Sequence, residues 1–199
     1  SSGTLLVGPN ITSVLSTELH LTGLHNVING LASLAICSSF GADSDATIAA
    51  LRNFKGLEHR TEHVATVKGV AFINDSKATN GEAAARALAC YQTIYWIVGG
   101  VCKEDGLAPV GPHLSRVRHA YLIGEAADRF AAELNGRVPV TLSNDLASAV
   151  RAAHLAAHEA GSVVLLSPAC ASFDQWTNFT QRGDAFRDMI SALASEGAT

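Results

Sequence analysis

The sequence is short of methionine, of charge and of any long apolar run. Its one methionine is Met189, which predicts a chain processed or excised from a longer product. Charged residues make up 16%, with Lys+Arg 14 against Asp+Glu 18 and a formal charge of -4. No Lys/Arg cluster occurs, so a nucleic-acid partner has no electrostatic footprint to land on. No stretch reaches the roughly 18 apolar residues that suggest a membrane span; Val27 to Cys37 and Val163 to Phe173 are shorter and carry Asn, Ser, Gly or Pro. The opening Ser1-Ser2-Gly3-Thr4 lacks the basic and apolar segments of a signal peptide. No C-x-x-C pair is present, and a chain of this size needs no staples. Cys37, Cys90, Cys102 and Cys170 therefore read as reduced thiols of a cytoplasmic protein. The phosphate-cradling G-x-x-x-x-G-K-[ST] loop and the G-x-S-x-G nucleophile elbow are both missing.

What is present is a globular pattern. The 199 residues, 48% of them hydrophobic, suffice for one large domain or one and a fraction. Short extended segments are expected at Thr4 to Val7 and Glu18 to Thr22. A helix runs from Asn26 with Val27, Leu31 and Leu34 on one face and ends at Gly41. A second is capped by Asp43 or Ser44, carries Ile48, Leu51 and Phe54, and closes at Lys55-Gly56. Beyond Gly56 the pattern alternates. Val64 to Val67 and Val70 to Ile73 flank Lys68-Gly69 as a β-hairpin. Strands at Ile94 to Val98, Ala120 to Ile123, Val138 to Leu142 and Val163 to Leu166 then alternate with helices near Gly81 to Cys90, Glu125 to Leu134, Asp145 to Ala160 and Asp184 to Leu193. This is an α/β pattern, and the uninterrupted Val163-Val164-Leu165-Leu166 suits a strand covered on both faces of a mainly parallel sheet.

Ligands of such sheets bind beyond the carboxyl ends of the strands, which directs attention to three loops: Asn74 to Asn80, Gly99 to Lys103 and Ser167 to Asp174. Thr79 and Glu82 have capping-box spacing, a structural role. That leaves Asp75 and Lys77 at a strand end facing a helix N-terminus, a place for anions, where Asp75 can bond ribose hydroxyls and Lys77 can neutralise phosphate or carboxylate. Gly99-Gly100 either admits a ligand or makes the turn. Lys103 alone reads as a surface cation. Ser172 and the N–H groups after it can receive a carboxylate, while Cys170 reads as a small buried hydrophobe. His154 and His158 have i, i+4 spacing without a third zinc ligand, and His59 and His63 are read likewise. Asn26 and Asn29 stand one turn apart, the first as a helix cap, both able to read a base.

Taken together, Gly23 to Asn29, Phe54 to Glu62, Asn74 to Asn80 and Leu165 to Gln175, with Asn178-Phe179 and Arg182-Gly183, resemble the Mur ligase family of peptidoglycan synthesis, and within it the branch that adds D-glutamate. The resemblance implies an enzyme of three domains, with ATP and Mg2+ as cofactors and D-glutamate and UDP-N-acetylmuramoyl-L-alanine as substrates. Residues 1–55 would be a helical tail of the central ATPase domain, and 56–199 a Rossmann-like C-terminal domain with a six-stranded, mainly parallel sheet and flanking helices. Gly56 to His59 would border the hinge. The phosphate loop, the UDP-binding part and the magnesium ligands, including the family's carbamylated lysine, are absent, so no complete catalytic set is expected and the fragment alone should be inactive. Carried over, Asn26, Asn29, Arg60 and Asp75 would contact ATP, and Lys77, Thr79, Lys103, Ser172, Phe173 and Phe179 would bind D-glutamate. Two other readings stand beside this one: a stand-alone nucleotide or amino-acid binding module, and a hydrolase built on Ser167 or Cys170.

Overall fold

The computed structural model describes residues 4–5, 14–15, 19–159 and 161–196. The chain divides into two compact units, residues 1–56 and 57–199.

In the first unit, β1 (Thr4–Leu5) pairs antiparallel with β2 (Val14–Leu15), and α1 (Leu24–Ser39) is followed by α2 (Ser44–Asn53). Val7 and Glu18, expected in strands, lie outside the described residues, and 19–21 form bends rather than a strand. α1 starts two residues earlier than its periodicity indicates. Its cap is Gly23, at φ 100°, and not Asn26, whose side-chain amide donates to the Thr22 carbonyl at 2.8 Å. The helix stops where Gly41 turns left-handed at φ 74° and Ala42 N–H reaches back to the Cys37 carbonyl, a glycine-terminated helix end. Asp43 caps α2 by accepting from Ala46 N–H at 2.8 Å. The two helices bury Leu34 and Ile48 among Leu19, Val27, Leu31 and Leu51.

The second unit is built on six strands in the order β3-β4-β8-β5-β6-β7: β3 (Glu62–Val67), β4 (Val70–Asn74), β5 (Ile94–Gly99), β6 (Val117–Ile123), β7 (Val140–Leu142) and β8 (Val163–Leu166). Every pairing is parallel except β3 with β4. The hairpin turn holds Lys68 at φ 50° and Gly69 at φ 83°, the two left-handed residues that match strand twist. Helices cover both faces. On one side α3 (Gly81–Leu88), a 3-10 segment (Ala108–Arg116) and α4 (Ala127–Leu134) pack on Trp96 and Val98; on the other α5 (Leu146–Ala156) and α6 (Phe179–Glu196) pack on Tyr95 and Ile97. Alternate side chains of β5 thus enter two cores, which is why that strand is apolar throughout.

Several boundaries move. Asn80, not Thr79, caps α3, accepting from Ala83 N–H at 2.9 Å, so the Thr79–Glu82 capping box does not form. Both residue types can cap, and the helix takes its register from Gly81, where a Cβ would press on the Gly106 carbonyl at 2.6 Å. α4 begins at Ala127 rather than Glu125, and β7 at Val140 rather than Val138. α5 ends at Ala156, leaving His158 beyond it, and Ala160 lies outside the described residues. α6 starts five residues ahead of Asp184. Its glycine, Gly183, is there because a Cβ would collide with the His59 ring.

Chain direction places the site. β8 feeds α6, which packs on β3 and β4, whereas β5 leads away toward β6. Between β8 and β5 the connections diverge, and a crevice at the carboxyl ends follows.

Phe130, fully buried under β5 and β6, and Leu155, 82% exposed on α5, test this layering. Phe130→Ala should cost about 3 to 5 kcal/mol in urea unfolding and Leu155→Ala no more than about 0.5; equal losses would contradict it.

Candidate functional site

The carboxyl-end loops are locked by a buried cation. Arg182 of α6 has no exposed surface. Its Nε donates to Ser76 Oγ at 3.0 Å, and one terminal nitrogen donates to the Ser76 and Cys170 carbonyls at 2.8 and 3.1 Å. Ser76 Oγ in turn donates to the Phe179 carbonyl at 2.7 Å. Burial lowers the guanidinium pKa to about 10, which leaves it charged at neutral pH. The loops after β4 and β8 are thereby fixed to the first turn of α6.

A second cluster extends this frame. The Asn74 side-chain amide donates to Glu62 Oε2 and the Gly183 carbonyl at 3.1 and 3.2 Å and faces His59 Nδ1 at 3.1 Å. His59, buried and left-handed at φ 61°, accepts the Lys77 N–H on its carbonyl. Its ring meets Phe179 edge-on with centroids 6.0 Å apart, and the Lys77 ammonium lies 3.9 Å from the Phe179 ring centroid. Lys77 and Phe179, far apart in sequence, are in direct contact.

Asp75, expected from the sequence to bond ribose hydroxyls, makes two hydrogen bonds within the protein. It is buried, with Oδ1 accepting from Thr61 N–H at 3.1 Å and Oδ2 from Ser167 Oγ at 2.7 Å. Desolvation raises its pKa to about 6, opposed by these bonds and by the Arg60 charge. Arg60 itself is exposed. The same contacts remove the hydrolase reading: the Ser167 hydroxyl is committed to Asp75, and Cys170 is fully buried with its thiol pushed up by desolvation.

At the divergence point, Val101 and Ala171 exchange two N–H···O bonds of 2.9 Å in an antiparallel bridge. Gly99 and Gly100 permit this approach, since side chains there would strike the Ile123 and Ala171 carbonyls. Their role is backbone packing. Lys103 and Ser172 follow the bridge by two residues and one. Lys103 is exposed, and its carbonyl accepts from Arg129; Ser172 is buried with an unpartnered hydroxyl; Phe173 is 73% exposed. Thr79 is half-buried near the α3 start. A cleft of about 480 Å³ adjoins, lined by Gly124, Glu125, Asp128, Leu142, Asn144, Asp174 and Gln175 among others; sequence reasoning singled out no lining residue for function. It also missed Arg182, His59, Asn74 and Ser76 as the frame, since the pairing of buried polar groups across more than a hundred residues leaves no local pattern.

Asn26 and Asn29 belong to the first unit, on α1, the former bonded to Thr22 and the latter exposed. His63 Nε2 lies 2.9 Å from Thr66 Oγ1, and His154 packs on Phe72. Among the described residues no group of three His, Cys, Asp or Glu is placed to hold a metal, and no helix is long and apolar enough to cross a membrane.

The fold defines a doubly wound α/β domain, a class whose ligand crevice lies at the carboxyl-end switch point. Residues 59–170 match the family described as Mur ligase, glutamate ligase domain. The chain is 48% identical over 189 residues to the UDP-N-acetylmuramoylalanine–D-glutamate ligase of Rhodospirillum rubrum, covering 94% of this chain and 40% of that protein. It is 53% identical over 180 residues to the ligase of the same name from Brucella abortus, covering 87% and 38%. The solved UDP-N-acetylmuramate-alanine ligase of Thermotoga maritima shares the fold, with a TM-score of 0.65 at 15% identity over 93% of this chain and 41% of that one. The chain belongs to the Mur ligase family. It spans about two-fifths of the length of these curated relatives.

The raised pKa of Asp75 has a signed consequence. An acid whose folded pKa of about 6 exceeds its ordinary 3.8 binds its proton more tightly in the folded state, so stability is greatest below pH 4 from this group and declines as pH rises toward 6. Unfolding free energy should show a component that falls by on the order of 3 kcal/mol across that window. Asp75→Asn should lack it; an unchanged pH profile in that variant would refute the assignment.

Proposed function

We propose that this chain is the amino-acid-binding portion of an ATP-dependent ligase that joins D-glutamate to UDP-N-acetylmuramoyl-L-alanine. Residues 1–55 are the tail of its central ATPase domain and 56–199 its C-terminal domain, and the enzyme works in the cytoplasm. The observation that carries this reading is the likeness, over nearly the whole chain, to ligases bearing that activity in their names.

A carboxylate is a poor acceptor for an amine, so it is first phosphorylated by ATP. The D-glutamate amine then attacks the acyl phosphate through a tetrahedral intermediate, and phosphate departs. Mg2+, when bound, neutralises phosphate charge; its ligands belong to the missing part of the central domain. The residues of this chain bind and orient. Lys77, held over the Phe179 face, and Lys103, beyond the Val101–Ala171 bridge, offer two cations to a dicarboxylate. Ser172 offers an unpartnered hydroxyl, Thr79 a second, and Phe173 and Phe179 apolar walls. Asn26 and Asn29 meet the nucleotide, and Arg60 its phosphates. Asp75, its oxygens set by Thr61 and Ser167, meets the ribose and phosphate region beside Arg60. Closure of the domains would exclude water from the acyl phosphate.

In the intact ligase, Lys103→Ala should raise the KM for D-glutamate roughly tenfold to a hundredfold, as expected for a lost charge-assisted bond, and leave the KM for ATP unchanged. An unaltered D-glutamate KM would remove Lys103 from the site. The 199-residue chain by itself should show no turnover.

A further inference from the structure

We propose that Arg129 of α4 is a positioning residue for D-glutamate: paired with Glu133, it grips the backbone of the loop from Cys102 to Leu107 and so sets where Lys103 is rooted. The inference rests on the reading of Lys103 as a D-glutamate ligand given above.

An arginine and a glutamate four residues apart on an exposed helix face ordinarily add little to stability. This pair is aimed at something. Glu133 Oε1 accepts from Arg129 Nε at 2.8 Å, and the two terminal nitrogens of the guanidinium reach the loop. One donates to the Cys102 sulfur at 3.0 Å and to the Lys103 carbonyl at 3.2 Å, the other to the Glu104 carbonyl at 2.9 Å. The second oxygen of Glu133 accepts from Leu107 N–H at 2.9 Å. One ion pair therefore holds the loop at both ends. A planar fork can serve all these acceptors at once, whereas a lysine ammonium in its place is a point charge. Every guanidinium nitrogen of Arg129 is engaged within the protein, so its part is to hold Lys103 and not to touch substrate.

The loop is shaped to this grip. The Lys103 carbonyl also accepts from Gly106 N–H at 3.2 Å, closing a turn in which Gly106 is left-handed at φ 50°. A Cβ on Gly106 would stand 2.6 Å from an Arg129 terminal nitrogen and 2.8 and 3.0 Å from the Glu133 oxygens. The Gly106 carbonyl in turn lies 2.6 Å from where a Cβ of Gly81 would stand, so the turn is pressed between α4 and the start of α3. Upstream, the Gly100 carbonyl accepts from Ala126 N–H at 3.0 Å. The backbone is thus tied to the α4 region before and after Lys103, while Lys103 itself is exposed.

The test uses the intact ligase with Arg129→Gln, Arg129→Lys, Lys103→Ala and the double variant Arg129→Gln/Lys103→Ala. Arg129→Gln should raise the KM for D-glutamate about tenfold, as a misplaced binding group does, and leave the KM for ATP unchanged. Arg129→Lys, which keeps the charge without the fork, should not restore it. In the Lys103→Ala background, Arg129→Gln should raise that KM no further, because two changes that act through one group are not additive. Hydrogen exchange reads the grip without any ligand: the Gly106 and Leu107 amides should exchange at least about tenfold faster in Arg129→Gln. Unchanged exchange overturns the grip. A D-glutamate KM that stays at the parent value in Arg129→Gln, or that rises by the same factor with and without Lys103, overturns the positioning role. If Lys103→Ala itself leaves that KM unaltered, the ligand reading fails and the positioning role falls with it, whatever the exchange rates.

Discussion

The buried Arg182 is the constraint on which the rest of the site depends. A guanidinium out of reach of water carries a large desolvation cost, and no carboxylate among the described residues is hydrogen-bonded to it to offset that cost. Neutral oxygens must serve instead: the Ser76 hydroxyl and the Ser76 and Cys170 carbonyls. Those oxygens come from the loops after β4 and β8, so neither loop can shift without stranding a donor or an acceptor. Ser76 passes the constraint on to the Phe179 carbonyl, and the ring of Phe179 in turn sets where the Lys77 ammonium rests.

Around this cation the backbone adopts conformations that side chains disfavour. His59, Thr61 and Ala169 all have positive φ, at 61°, 46° and 58°, and the β-branched Thr61 is the least suited of the three. Such strain costs on the order of 1 to 3 kcal/mol per residue and persists where surroundings over-determine it. Each strained residue adjoins a bond of the frame. The His59 carbonyl takes Lys77 N–H, Thr61 N–H goes to Asp75, and Ala169 precedes the Cys170 carbonyl that Arg182 holds.

The sheet was legible because its signals are local. Lys68-Gly69 marks the hairpin, and the runs at Ile94 and Val163 mark strands covered on both faces. Two of the three loops named from strand ends, those after β4 and β8, hold Arg182. What failed was set by distant partners. Thr79 and Asn80 have equal capping chemistry, and packing of Gly81 against a residue in another loop chose between them. Gly183 looks like a helix breaker until the His59 ring is seen above it. Pro109 and Pro112 interrupt the 3-10 segment at Ala108–Arg116, where only Val110 and Leu114, four apart, are buried. The bonds from Thr61 and Ser167 to the Asp75 oxygens also span distances that leave no local pattern.

The strand order has a consequence for biosynthesis. Among the described strands of the second unit β8 comes last in chain order, yet it lies between β4 and β5. Until it emerges, the nascent unit has two partial sheets, β3–β4 and β5–β6–β7, whose inner edges, the future neighbours of β8, lack a partner. Exposed edges of this kind invite pairing with other chains, and long-range closure of this kind is slow. The loop of Ser167 to Asp174 and the helix bearing Arg182 follow β8, so the Arg182 frame forms only after the other five strands of the unit have been made. A ribosome that stalls before residue 163 would release a chain with two sticky half-sheets and no Arg182 frame to join them.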